Sequence, residues 1–87
     1  MIIINEIDND KFVVYVKSDE ESKHTVIFED KYYLRFNKNK SKREIIKESF
    51  KFLLKREPNT QILKCFNLNI INNYFPEYED EFSVKWW

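Results

Sequence analysis

Glycine and alanine are both missing from this chain of 87 residues. A domain of this size ordinarily carries about six glycines. Without them, any backbone position that needs a positive φ falls to Asn or Asp. Neither the glycine-rich phosphate loop nor the dinucleotide-binding fingerprint can be written in this alphabet, which excludes the commonest nucleotide sites. An AT-rich genome produces such a composition, with ten Ile, nine Asn and twelve Lys in the place of residues with GC-rich codons.

Cysteine and histidine occur once each, as Cys65 and His24. A single Cys rules out an internal disulfide and points to a reducing, cytoplasmic setting. Any Cys–His nucleophilic pair must use both residues, and the sequence names no third group to orient them. Cys65 lies in the apolar stretch Ile62–Phe66, where a small buried thiol is the expectation. No apolar run approaches the length of a membrane span, and Met1–Ile4 has no basic flank or long apolar core that would mark a targeting segment. No membrane partner is expected.

Net charge is also lacking: the formal value is +0. The charges are nevertheless segregated. Residues 1–30 hold three Lys against eight acids, net −5; residues 31–56 hold ten Lys or Arg against two acids, net +8; residues 57–87 hold two Lys against five acids, net −3. A neutral chain gives no general steering field for nucleic acid, although one basic segment can act locally.

Aromatics are plentiful, with eight Phe, five Tyr and two Trp. They supply the core area that a small chain otherwise has difficulty finding. Ile2–Ile7, Lys11–Lys17 and His24–Phe28 are β-branched and aromatic runs separated by turn chemistry at Asp8–Asp10 and a polar connection at residues 18–23. They predict a three-strand antiparallel meander with Phe12, Val14 and Val16 on one face. Residues 29–37 fit either pattern: Tyr32, Leu34 and Phe36 alternate as in a strand, and Tyr32 and Phe36 also pair at i, i+4 as in a helix.

Ser41-Lys-Arg-Glu44 is a capping box that opens a helix. Behind it Ile45, Ile46, Ser49, Phe50, Phe52, Leu53 and Leu54 fill an arc of about 200° on the helical wheel. The helix ends near Arg56-Glu57, before Pro58. Asn59 or Thr60 then caps a second helix, with Ile62, Leu63 and Phe66 on one face and Leu68, Ile71 and Phe75 following until Pro76. Phe82, Val84 and Trp86 alternate with Ser83, Lys85 and Trp87 as a terminal strand or arm. The fold class expected is α+β: an N-terminal antiparallel meander of about three strands packed against two to four C-terminal helices, in a single compact domain over residues 1–87.

The run Ser49-Phe-x-Phe-Leu-Leu-x-Arg56-Glu-Pro58, Ile62-Leu63, Phe66-x-Leu68, Ile71 and Tyr74-Phe-Pro-Glu-Tyr-Glu79 resembles a small bacterial protein family of unknown function. The resemblance covers residues 41–79 and rests most on Tyr74–Glu79. It implies a short helix after the meander, which tilts residues 29–37 toward helix. It implies no activity. Where that family carries a Gly pair before the long helix, this chain has Asn37-Lys-Asn39, and Asn takes the same backbone conformation.

Two surfaces compete for function. The C-terminal aromatics Tyr74, Phe75, Tyr78, Trp86 and Trp87 suit a protein-interaction or regulatory module that meets another chain or a second copy. Their alternative place is the domain's own core. The basic residues Lys42, Arg43, Lys47, Lys51, Lys55 and Arg56, within the basic segment 38–56, suit a nucleic-acid-binding regulator, with Tyr32 or Tyr33 available to stack on a base. The excess of Lys over Arg and the interspersed Glu44 and Glu48 argue for an ordinary solvated helix face. The acids Glu77, Glu79, Asp80 and Glu81 lack the alternating Asp/Asn and Gly of a calcium loop, so no metal and no cofactor is expected. Arg56 is the natural partner for this acidic run, with Glu77 and Glu79 as candidates. A non-enzymatic interaction module is the expectation.

Overall fold

The β-branched run Lys11–Lys17 forms strand β2, paired antiparallel on one side with β1 (Ile2–Glu6) and on the other with β3 (Glu21–Ile27). The structure is a computed structural model, and it describes residues 1–36 and 40–82. Side chains alternate across a strand, so Phe12, Val14 and Val16 enter the core while Val13 and Tyr15 stay on the opposite, half-covered face. The glycine-free turn between β1 and β2 is closed by a side chain. Asp8 Oδ1 accepts from the backbone N–H of both Asp10 and Lys11 at 2.9 Å.

After β3 the chain forms a short helix, α1 (Asp30–Tyr33), so of the two patterns available to this stretch the helical one is taken; Asn37 lies outside the described residues. Phe36 follows it into the core, edge-on to Phe28 at 5.4 Å. The long helix α2 (Lys42–Leu54) begins on the expected capping box: Ser41 Oγ accepts from Glu44 N–H at 3.2 Å, and Glu44 Oε1 accepts from Ser41 N–H at 3.1 Å. Such a cap contributes about 1 kcal/mol. The wide apolar arc of α2 has a simple reason, since the helix is covered on two sides. Phe50 meets His24 and Phe66 of the sheet at 5.4 and 6.1 Å, while Phe52 meets Phe75 and Tyr78 of the C-terminal segment at 6.0 and 5.2 Å.

The expected second amphipathic helix from Asn59 to Phe75 is not what forms. A 3₁₀ turn at Asn59–Gln61 leads into an extended segment, and Cys65–Asn67 is a fourth strand, β4, parallel to β3. The sheet order is β1-β2-β3-β4, the first three strands antiparallel and the last parallel. The physical reason is the edge of β3. Its outward N–H and C=O groups need partners, and Thr25 N–H finds one in Lys64 C=O at 2.7 Å. In the extended backbone Ile62 and Phe66 turn inward and are buried, as is Leu68 just after it, while Leu63, Cys65 and Asn67 turn outward. Cys65 is therefore exposed, against the expectation of a buried thiol.

A second 3₁₀ turn (Leu68–Ile70) continues into α3 (Ile71–Tyr74), and Phe75 breaks the helical backbone with φ −133° and ψ 85° before Pro76. Helix α4 (Glu77–Phe82) follows, so Phe82 closes a helix rather than opening a terminal strand. Val84, Trp86 and Trp87 lie outside the described residues. One core cluster joins the inner face of the sheet to the helical layer, from Ile4 to Tyr78. The fold is mixed α+β, with the antiparallel strands in the N-terminal half and, among the described residues, four α-helices after them.

Candidate interaction surface

Two contacts set the C-terminal segment against the end of α2. In the first, Tyr78 projects from the first turn of α4 into the core and is 0% exposed. Its ring packs on Phe36, Phe52 and Phe82, the last stacked at 4.4 Å. Its hydroxyl lies 2.6 Å from Ser49 Oγ. The single proton of Ser49 goes to Ile45 C=O at 2.7 Å, so Tyr78 is the donor of the pair. Burial pushes the Tyr78 phenol well above its ordinary value, and the charge of Glu48 adds to the effect.

In the second, the guanidinium carbon of Arg56 lies over the Phe52 ring, 3.5 Å from its centroid. Its Nε donates to Glu77 Oε2 at 3.1 Å and its Nη1 to Phe52 C=O at 2.9 Å, and its Nη2 stands 3.8 Å from Glu81 Oε2. The pairing expected between Arg56 and the acidic run thus forms through Glu77 and Glu81. Glu79 instead accepts from Asn72 Nδ2 at 3.3 Å. Glu77 sits at the start of α4, where a hydrogen bond from its own backbone N–H holds its carboxyl below the usual range, and Arg56 adds to this.

Between these elements lies an apolar groove of about 180 Å³. Leu53 near the end of α2 and Glu57 beyond it form one wall, Gln61, Ile62, Leu63 and Phe66 a second, and Ile70, Ile71, Tyr74 and Phe75 the third. Two apolar side chains stand open at its rim, Leu63 at 46% exposure and Tyr74 at 63%. Of the aromatics expected at an interaction surface, Tyr74 and Phe75 are here together. Tyr78 is corrected to a core residue, because its ring fills the space between α2 and Phe36. Trp86 and Trp87 lie outside the described residues. Leu63 and Ile70 were not expected at a surface. Their signal was the alternation Ile62-in, Leu63-out, which a helical reading of the segment hides.

A larger hollow, of about 370 Å³, opens between Phe36 and Phe82. Its rim is charged, with Lys40, Glu48, Lys51, Lys55 and Glu81, and a Lys40–Glu48 ion pair of 2.7 Å stands at it. The smaller groove is the more selective surface for an apolar ligand, because Glu57 is the one charged residue in its lining.

The basic residues do not form one patch. Lys42, with only 11% of its side chain exposed, is clasped by Asp30 at 2.8 Å, Asp10 at 3.3 Å and the Asn9 carbonyl at 2.8 Å. This bond holds the Asp30 carboxyl below its ordinary range, with help from Asn9. Arg43 reaches across to donate to the Ile4 carbonyl of β1, and Arg56 is spent on α4. Lys47, Lys51 and Lys55 remain, in a line of i, i+4 spacing on the exposed side of α2, and make no ion pair among the described residues.

His24 and Cys65 stand on opposite faces of the sheet. Cys65 pairs with Thr25, the neighbour of His24, and successive side chains point to opposite faces. His24 is buried, donates from Nδ1 to Leu63 C=O at 2.8 Å and accepts at Nε2 from Ser22 Oγ at 2.7 Å. Asn59 extends the chain, donating to Ser22 Oγ and Glu20 C=O at 2.9 Å each. This network fixes the segment that carries Leu63. Among the described residues no group of His, Cys, Asp and Glu is arranged to hold a metal ion. No helix of the described residues is long and apolar enough to cross a membrane. Compared with models of known protein families, with characterised proteins and with solved structures, the chain matches none.

Proposed function

We propose that this protein is a non-enzymatic interaction module that recognises another polypeptide through the groove between α2, β4 and α3. The supporting observation is the pair of exposed apolar side chains, Leu63 and Tyr74, at the mouth of an apolar groove. Scattered single apolar residues are normal on a surface, but two that flank a concave apolar site suit a binding anchor. The aromatic rim fits the chemistry of interface hot spots, in which Tyr is enriched. Among the described residues the nucleic-acid reading keeps Lys47, Lys51 and Lys55, since Lys42, Arg43 and Arg56 are committed within the chain; Lys38 of the basic segment lies outside the described residues. The resemblance over residues 49–79 includes the groove's Leu53, Ile62, Leu63, Phe66, Tyr74 and Phe75, and it brings no activity with it.

The test is a Leu63→Ser/Tyr74→Ser double variant. Both side chains point into solvent, so its melting temperature stays within a few degrees of the native value. In affinity capture from native cell extract and in sedimentation at rising concentration, the variant loses the associations that the native chain makes. Associations that survive the double substitution would place function elsewhere.

A further inference from the structure

The geometry points to an extended peptide strand as the ligand of the groove, added alongside β4 with one apolar side chain seated next to Phe66. This inference rests on the groove reading above and names its partner class. The phase of β4 decides which backbone groups are open. Thr25 N–H bonds to Lys64 C=O, and Thr25 stands opposite Cys65 in a parallel pair. In such a pair the residue opposite Thr25 turns its own N–H and C=O away from β3, as does every second residue after it. Cys65 N–H, Cys65 C=O and Asn67 N–H therefore line the outer edge of the sheet, and none meets a partner among the described residues. Cys65 and Asn67 are both exposed.

The open edge and the groove meet at Phe66. A strand added beyond β4 lies about 4.8 Å further out, and its inward side chain falls in line with the row Val26–Phe66. Phe66 forms part of the groove lining, so that side chain enters between Leu63, Ile70 and Tyr74. Main-chain bonds to Cys65 and Asn67 then supply affinity, and the groove supplies selectivity for an aliphatic or aromatic side chain. Glu57 is the charged residue of the lining and makes no ion pair among the described residues. It favours a Lys or Arg on the same face of the peptide, two residues from the anchor.

A single substitution separates the edge from the groove. Asn67 has φ −80° and follows a strand residue, a backbone that proline accepts. Asn67→Pro removes the outward N–H and leaves the bonds to β3 untouched. The probe is a labelled pool of acetylated hexapeptides Thr-Xaa-Thr-Xaa-Thr-Lys-amide, with Xaa as Val, Ile, Leu or Phe. Binding is read by fluorescence anisotropy and by the amide shifts of Cys65 and Asn67. The native chain binds members of the pool, and Asn67→Pro weakens them about ten-fold, the weight of one backbone hydrogen bond left unmade. Leu63→Ser/Tyr74→Ser abolishes binding. If Asn67→Pro binds as the native chain does while the groove variant does not, strand addition is wrong and the interaction module stands. If the groove variant binds as the native chain does, the groove reading fails as well. No binding by any member of the pool overturns the strand as ligand.

Discussion

The hydroxyl of Tyr78 donates to the hydroxyl of Ser49 across 2.6 Å inside an otherwise apolar layer, joining α4 to the middle of α2. Ser49 passes its own proton to Ile45 C=O, so both hydroxyls are satisfied. This one relation explains why a serine occupies the apolar arc of α2 and why a tyrosine fully enters the core.

The pair gives an asymmetric mutational prediction. Ser49→Ala strands a buried donor and costs about 1–3 kcal/mol, whereas Ser49→Ala/Tyr78→Phe removes both partners and recovers most of that loss. Urea denaturation of the three proteins measures it. A double variant less stable than Ser49→Ala would mean that the hydroxyl pair is not what the two residues contribute. Tyr78→Ala removes the ring from its contacts with Phe36, Phe52 and Phe82 and costs about 3–5 kcal/mol.

The same burial makes stability depend on pH on the alkaline side. The phenol of Tyr78 is raised above its ordinary 10.0 in the folded chain, so the neutral form is favoured by folding. Its contribution is fully present below pH 10 and is lost as pH rises beyond that value. Tyrosinate absorbance near 295 nm should therefore be the same for the native chain and Tyr78→Phe until cooperative unfolding begins, when the native chain gains one further tyrosinate. A Tyr78 signal developing before the loss of far-ultraviolet ellipticity would contradict the buried placement.

At low pH the sign reverses. Glu77 and Asp30 have folded values held below their ordinary 4.5 and 3.8 by partners at the start of α4 and at Lys42. Their stabilisation is present above those values and disappears as pH falls through and below them. Glu77→Gln should flatten the fall of melting temperature between pH 5 and 3, and Arg56→Ala with Glu77→Ala should be less than additive because each removes the same contact. An additive pair would show that the Arg56–Glu77 contact contributes nothing to stability.

The line Lys47, Lys51, Lys55 provides a contrast with the groove. Lys47→Glu/Lys51→Glu should change stability by no more than about 0.5 kcal/mol and leave groove-dependent association intact. Titration with labelled single-stranded and duplex DNA at low salt checks the competing reading. Binding that falls steeply with salt and vanishes in this variant would move the function to the basic face of α2.

How much of this was legible in advance follows from the range of the forces involved. The alternation of Phe12, Val14 and Val16, the Asp8 turn, the capping box at Ser41–Glu44 and the length of α2 are local, and each is complete within a few residues of chain. They emerged as the sequence alone determined them. The attraction of Arg56 for the acidic run was also readable from charge, although the choice of Glu77 and Glu81 over Glu79 needed the orientation of α4. The strand at Cys65–Asn67 was not readable. Its residues have no strong local preference, and the open edge of β3, about forty residues earlier, supplies the hydrogen bonds that make it extended. That one tertiary event exposed Cys65, turned Leu63 outward beside Tyr74 and left the free edge at Asn67. The local chain therefore determined the meander and α2, while the candidate site was decided by a long-range pairing that only the folded molecule contains.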